Sequence, residues 1–191
     1  DIKIMQAKVK RYLIKTLIFF FIFICFFNFC FQLYRIPTTS MVPTLMPGDY
    51  IFVNKLSYGL KVPFSNLRIF KFNSPKRGDV VVFFPPHEKG KAYVKRLIAK
   101  EKEEVILKSG NIYVDDKPLV EPVIAKNYYY NQGKYAVKEE KVTVPKRAYF
   151  FLGDNSISSA DSRFWGFVPE ENILGEAIFI WWPTARINMV E

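Results

Sequence analysis

Residues 16–34 read TLIFFFIFICFFNFCFQLY, nineteen positions without one formal charge. A helix needs about 20 apolar residues to cross the hydrocarbon core of a bilayer, and an uncharged run longer than about 18 is read as a span. The run exceeds the ~7 to 15 residues of a cleavable leader's apolar core. Gln32, Leu33, Tyr34, Arg35 and Ile36 at its end offer no small-x-small cleavage site. A permanent anchor is therefore expected. Lys3, Lys8, Lys10, Arg11 and Lys15 precede it against Asp1 alone, whereas Arg35 stands alone just after it. The positive-inside rule then keeps residues 1–15 cytoplasmic, makes residues 16–34 the membrane span and exports residues 35–191.

Residues 1–35 hold six cations and one anion, a net +5, which leaves +5 of the chain's +10 for the exported part. A mildly basic surface suits anionic lipid head groups, and no cluster of basic and aromatic residues points to nucleic acid. Cys25 and Cys30 both lie in the apolar run, so the exported part has neither a disulfide nor a thiolate nucleophile. A domain of this length has a core large enough to do without cross-links.

Beyond the anchor the pattern is short apolar runs broken by turn residues. Strands are expected at 50–55, 79–84, 92–99, 104–108, 111–114, 141–144, 149–152 and 176–182, punctuated by Gly48, Gly78, Pro85, Pro86, Gly110 and Pro145. Ser109 and Gly110 between two such runs predict a hairpin turn. Helical periodicity is hardly visible after the anchor, except briefly at 169–173. The fold class is mainly β, an antiparallel sheet domain with one N-terminal transmembrane helix. Residues 121–140, with Tyr128, Tyr129 and Tyr130, are the least strand-like and belong to a surface excursion or a small insertion at about 101–143.

Three segments carry groups capable of chemistry. Ser40 lies six residues past the anchor, and Pro37 and Pro43 bias its segment toward a stiff, extended path. An ordinary Ser/Thr/Pro linker is the bland reading of the same residues. His87, the one histidine, is flanked by Pro85, Pro86 and Gly90, a poor support for a Ser-His-Asp triad, and one histidine without cysteine disfavours a metal site. Lysine is then the remaining general base, because burial favours its neutral form. In the 92–99 run the period of two puts Tyr93, Lys95 and Leu97 on one face and Val94, Arg96 and Ile98 on the other. Pattern alone leaves open which cation faces a site, and by itself it favours both reaching water from a half-exposed strand. Last, the dense polar segment 153–166 places Asp161 near Arg163, a potential brace, and Ser159 where it can hydrogen-bond an amine.

Taken in order, SMVPTL (40–45), GDYIFVNK (48–55), RGDVVVF (77–83), YVKR (93–96) and GDN through SADSR (153–163) resemble the bacterial type I signal peptidases, or leader peptidases. The resemblance runs from the anchor to about Trp182. It implies a membrane-anchored serine endopeptidase that needs no cofactor or metal, with Ser40 as nucleophile and Lys95 as general base. It further implies that Thr38 and the Ser40 backbone N–H form the oxyanion hole and that Ser159 holds the lysine amine. Asp154, Asp161 and Arg163 would support the site, and Ile36, Met41, Leu45, Tyr93 and Val94 would line the substrate pockets. The substrates implied are signal peptides of exported preproteins, cut after small-x-small sites, with membrane lipids and, indirectly, the Sec-type export machinery as partners. Ser156, Ile157 and Ser158 stand where that family usually has Arg-Asp-Asn, and residues 100–104 depart from its Gly-Leu-Pro-Gly-Asp-like turn.

Two rivals remain at this stage. A self-cleaving Ser-Lys protease of the SOS-repressor type is soluble and DNA-linked, which the anchor opposes. A catalytically silent peptide-binding module has no use for Ser40 and Lys95 together. Val62, Phe64, Leu67, Ile69, Phe70 and Phe72 suggest a buried hairpin by default, or a surface that dips into the bilayer.

Overall fold

The computed structural model describes residues 2–61, 68–71, 73–88, 90–136 and 139–191. It starts with α1 (Ile2–Cys30), whose stretch Lys8–Cys30 is long and apolar enough to cross a membrane. Phe19, Phe20, Phe21 and Phe23 stand exposed on it, as side chains that face lipid do. The helix stops at Cys30, short of the expected boundary at 34, and Phe31–Arg35 is a strand. A phenylalanine-rich run suits either conformation, and pairing decides between them. Here the strand finds a partner in residues 50–54, from Phe31 opposite Asn54 to Arg35 opposite Tyr50.

The strands are, in chain order, β1 (Phe31–Arg35), β2 (Tyr50–Asn54), β3 (Leu60–Lys61), β4 (Arg68–Phe70), β5 (Val80–Phe83), β6 (Tyr93–Ala99) and β7 (Glu104–Lys108). They continue as β8 (Asn111–Val114), β9 (Lys117–Pro118), β10 (Val142–Thr143), β11 (Ala148–Leu152), β12 (Val168–Pro169), β13 (Ile173–Trp182) and β14 (Asn188–Met189). The main sheet runs β1-β2-β13-β5-β6-β11-β12, with β14 on β13. A second sheet runs β10-β7-β8-β9, and β3 pairs with β4. Every pair is antiparallel, which makes the fold a mainly antiparallel β domain on an apolar helix.

Strand β5 reads VVVF without alternation because it is covered on both faces. Val80 and Val82 pack with Ile36, Met41, Leu45, Ile51 and Val53, whereas Val81 and Phe83 pack with Tyr58, Leu97, Phe151 and Ile173. Phe83 stacks on Phe151 at a centroid distance of 4.5 Å. The second sheet has no core of its own, since its Val105, Leu107, Ile112 and Val114 share one cluster with Ile98, Phe150 and Leu152 of the main sheet. The β7–β8 turn puts both Ser109 and Gly110 at positive φ, the geometry of a two-residue hairpin turn. Periodicity did not reveal two four-residue helices, α2 (Pro122–Ala125) and α3 (Ser162–Trp165), which are too short to carry an amphipathic signal. Val62, Phe64, Leu67 and Phe72 lie outside the described residues, while Ile69 and Phe70 are exposed.

Candidate active site

Ser40 does not ride an extended segment. It opens a run of turns in which the Val42 N–H donates to the Thr39 carbonyl at 3.1 Å and the Leu45 N–H to the Met41 carbonyl at 2.9 Å. These bonds outweigh the extended bias that Pro43 places on Val42. The turn is tied at both ends. Ile36 N–H donates to Asp49 at 2.8 Å, and Asn155 N–H donates to the Ser40 carbonyl at 3.0 Å. Loop 36–49 and the polar segment after β11 therefore meet at the serine.

Lys95 and Arg96 are adjacent on β6, and both are buried, 4% and 0% exposed. Neither cation reaches water, contrary to the expectation of a half-exposed strand, and tertiary packing treats the two differently. A guanidinium cannot lose its proton, so it has to be paired. Arg96 has a bidentate partner in Asp154, with Nε to Oδ1 at 2.8 Å and Nη2 to Oδ2 at 2.6 Å, and Nη1 donates to the Gly78 carbonyl at 2.6 Å. Among the described residues Lys95 touches no carboxylate. Its Nζ lies 2.6 Å from Ser40 Oγ and donates to the Val94 carbonyl at 3.0 Å.

Burial is the main reason that the Lys95 pKa falls to about 8, with the Arg163 charge helping and the nearby Asp161 and Asp154 opposing. At neutral pH a usable fraction of the amine is therefore uncharged. The Tyr93 ring, 5.7 Å from the amine, closes one side of it. Thr38 Oγ1 is 3.3 Å from Ser40 Oγ, so a second hydroxyl stands beside that of Ser40.

Behind the pair lies a second buried ion pair. Arg163 Nε meets Asp161 Oδ1 at 2.8 Å and Nη2 meets Oδ2 at 2.9 Å, while Nη1 donates to Ser156 Oγ at 2.6 Å. Asp161 in turn accepts from the Gly153 N–H at 3.1 Å, which locks the loop that carries Asn155 against Ser40. Ser156, a departure from the usual family pattern, thus serves as a ligand of Arg163.

Ser159 is buried, but its Oγ has no hydrogen-bond partner among the described residues. The expected bond from the Lys95 amine is not formed, because the amine points at Ser40 and the Val94 carbonyl. The Ser159 hydroxyl instead packs against Gly153. A Cβ added at Gly153 would overlap Ser159 Oγ and come within 2.5 Å of the Ser40 carbonyl. Gly153→Ala is therefore expected to displace Ser40 and lower turnover at least tenfold, with a smaller effect on the melting midpoint; parallel kinetics and thermal melts check this.

A cleft of about 230 Å³ opens on the pair, and Ile36, Met41, Tyr93 and Val94 are among the residues that line it. Leu45 does not. It is fully buried in the core with Ile51, Val53 and Val80. Val82, Ala92 and Ser158 also line the cleft and went unread in the sequence. Only the β5–β6 register, which sets Val82 opposite Val94, brings Val82 there. His87 is exposed, stacks on Trp165 at 5.6 Å and is not among the residues lining the cleft.

An antiparallel β domain on an apolar helix, with a serine hydroxyl against a desolvated lysine amine, defines a class of helix-tethered proteins with a serine–lysine site. The profile of the family described as signal peptidase, peptidase S26, matches residues 9–182, and the chain belongs to that family. Among its relatives, the signal peptidase I of Buchnera aphidicola subsp. Acyrthosiphon pisum (strain APS) is 31% identical over 264 residues, covering 98% of this chain and 84% of the relative. The signal peptidase I of Pseudomonas aeruginosa is 30% identical over 202 residues, covering 88% of this chain and 71% of the relative. A solved signal peptidase I from Enterococcus faecalis V583 is 30% identical, covers 55% of this chain and 97% of its own, and superposes with a TM-score of 0.44.

Proposed function

We propose that this peptidase cleaves N-terminal signal peptides from exported preproteins with Ser40 as nucleophile and Lys95 as general base. The observation that carries the reading is the 2.6 Å approach of Lys95 Nζ to Ser40 Oγ in a site where burial lowers the amine's pKa to about 8. Neutral Lys95 takes the hydroxyl proton as Ser40 Oγ adds to the scissile carbonyl. Thr38 Oγ1 and the Ser40 N–H stabilise the oxyanion, a contribution of about 3 to 4 kcal/mol for a fixed donor. The ammonium then protonates the leaving amine. Water, deprotonated by the same amine, releases the acyl group from Ser40. Ser159 Oγ accepts a hydrogen bond from an N–H of Lys95 when the amine becomes an ammonium, which would satisfy a hydroxyl whose burial without a partner costs about 1 to 3 kcal/mol. Asp154, Asp161 and Arg163 hold the loop in place.

The cleft is small and largely apolar, which favours Ala-like side chains on either side of an extended substrate strand. Trp181 and Trp182 are both about half exposed at the end of β13, where Trp182 lies opposite Tyr50 of β2 and Trp181 stands edge-on to Phe52. Such residues suit the water–lipid boundary, and with the basic N-terminal flank they favour a cytoplasmic N-terminus and a domain on the outer face of the bacterial cytoplasmic membrane. Anionic lipids and, indirectly, the Sec-type export machinery are the partners this location supplies.

Protonated Lys95 cannot accept the serine proton. Activity should therefore rise about tenfold per pH unit below pH 7 and level off above about pH 8. Initial rates on a purified preprotein across this range test it, and a profile that is flat from pH 6 to 9 removes Lys95 as the base. The same shift affects stability. Between about pH 8 and 10.5 the unfolded chain holds a proton that native Lys95 has lost, so wild-type stability rises with pH in that window, by up to about 3 kcal/mol.

A further inference from the structure

The junction between helix and sheet contains no linker. Cys30 is the last residue of α1 and Phe31 the first of β1. The Phe27 and Phe31 rings meet across the junction at 5.1 Å, and three further contacts from the β2 segment fix its angle. Lys55, just past β2, donates from Nζ to the Asn28 carbonyl at 2.7 Å and from its backbone N–H to the Cys30 carbonyl at 2.8 Å. Both acceptors belong to the last turn of α1, whose carbonyls have no partner within the helix and whose dipole favours a cation. On the other side Phe52 of β2 stands edge-on to Phe27 of the helix at 6.4 Å and to Trp181 of β13 at 5.7 Å. The helix end is thus held by one cation and one aromatic bridge, both presented by the β2 segment.

The same segment borders the site. The Asp49 carbonyl, one residue before β2, accepts from the Ile36 N–H at 2.8 Å, and Ile36 lines the cleft four residues before Ser40. Strand β1 carries the chain about 17 Å from the helix end to the start of that loop. A swing of about 30° at Cys30 would move the far end of β1 by about 9 Å at that length. Where Ser40 sits above the membrane therefore depends on the angle at the junction.

We infer that Lys55, together with Phe52, is a positioning residue that fixes the height and tilt of the cleft over the bilayer, so that membrane-inserted substrates present their cleavage site to Ser40 while short soluble peptides do not depend on it. Lys55 touches neither substrate nor reacting atoms. The inference rests on the peptidase reading above.

The test uses the full chain in liposomes. One substrate is a preprotein inserted in the same bilayer, and the other is a water-soluble peptide carrying the same cleavage sequence. Lys55→Met should lower kcat/KM for the inserted preprotein at least tenfold and shift some cleavage to neighbouring bonds, read by mass spectrometry, while kcat/KM for the soluble peptide stays within about twofold. Lys55→Arg, which keeps a donor and a charge, should restore the site and rate. Phe52→Leu should show the same split between substrates to a smaller degree. Equal losses on both substrates would mean that Lys55 acts only through the fold, and no loss on either would mean that the clamp is irrelevant; each overturns the inference. A wild-type protein that cuts neither substrate defeats the peptidase reading itself.

Discussion

Ser40→Ala and Lys95→Met are each expected to reduce cleavage of a purified preprotein by about 10⁴-fold or more, with the double variant no slower than either single one. The non-additivity follows from the 2.6 Å contact, since a nucleophile without its base and a base without its nucleophile leave the same residual activity. Lys95→Met also serves as a fold control. It replaces a buried amine that prefers to be neutral with an apolar chain of similar length, so its melting midpoint at pH 7 should equal or exceed that of the wild type, and the rise in stability between pH 8 and 10.5 should vanish. Rates measured beside thermal melts check both parts. A Lys95→Met protein that still processes preproteins overturns the assignment, and so does one in which an unfolded chain explains the lost activity.

The second large effect is structural. Asp154→Ala leaves the fully buried guanidinium of Arg96 without its carboxylate, and breaking such a pair costs about 3 to 5 kcal/mol. For a domain of this size that lowers the melting midpoint by roughly 6 to 20 °C. Thr44 loses a partner too, since its hydroxyl donates to Asp154 Oδ2 at 2.5 Å. Replacing both charges, as in Arg96→Met with Asp154→Leu, should recover much of the loss, because no unpaired charge is then left in the interior. Thermal melts of the two single variants and the pair decide the matter. If the double variant is as unstable as the sum of the singles, the pair's role is not electrostatic.

Local pattern made the strands readable because turn residues separate short apolar runs. The runs expected at 104–108 and 111–114 coincide with β7 and β8, residue for residue. Local pattern failed where a segment's state depends on a distant partner. Residues 31–34 are as apolar as the helix before them, yet they join a sheet because β2 is there to pair with. Pro37 and Pro43 suggested an extended path for Ser40, but hydrogen bonds within the loop and to Asn155 bend it into turns. The resemblance implies a pocket position for Leu45, yet it packs in the core, because a bend in the backbone decides which apolar residues of a loop face inward.

From the order of its residues alone, this chain is an uncharged apolar helix joined to an antiparallel β domain that carries Ser40, Lys95 and a polar segment around Asp161. These properties follow from local chemistry: charge, β-branching and breakers act over a few residues. Only the tertiary structure decided which of two adjacent cations lies against Ser40. Lys95 and Arg96 have the same charge and the same apolar neighbours in sequence, but folding brings the carboxylate of Asp154 to Arg96 and the hydroxyl of Ser40 to Lys95. Folding gives the guanidinium a bidentate carboxylate, whereas burial without such a partner lets the amine give up its proton more readily, and that difference depends on contacts 55 and 58 residues apart in the chain.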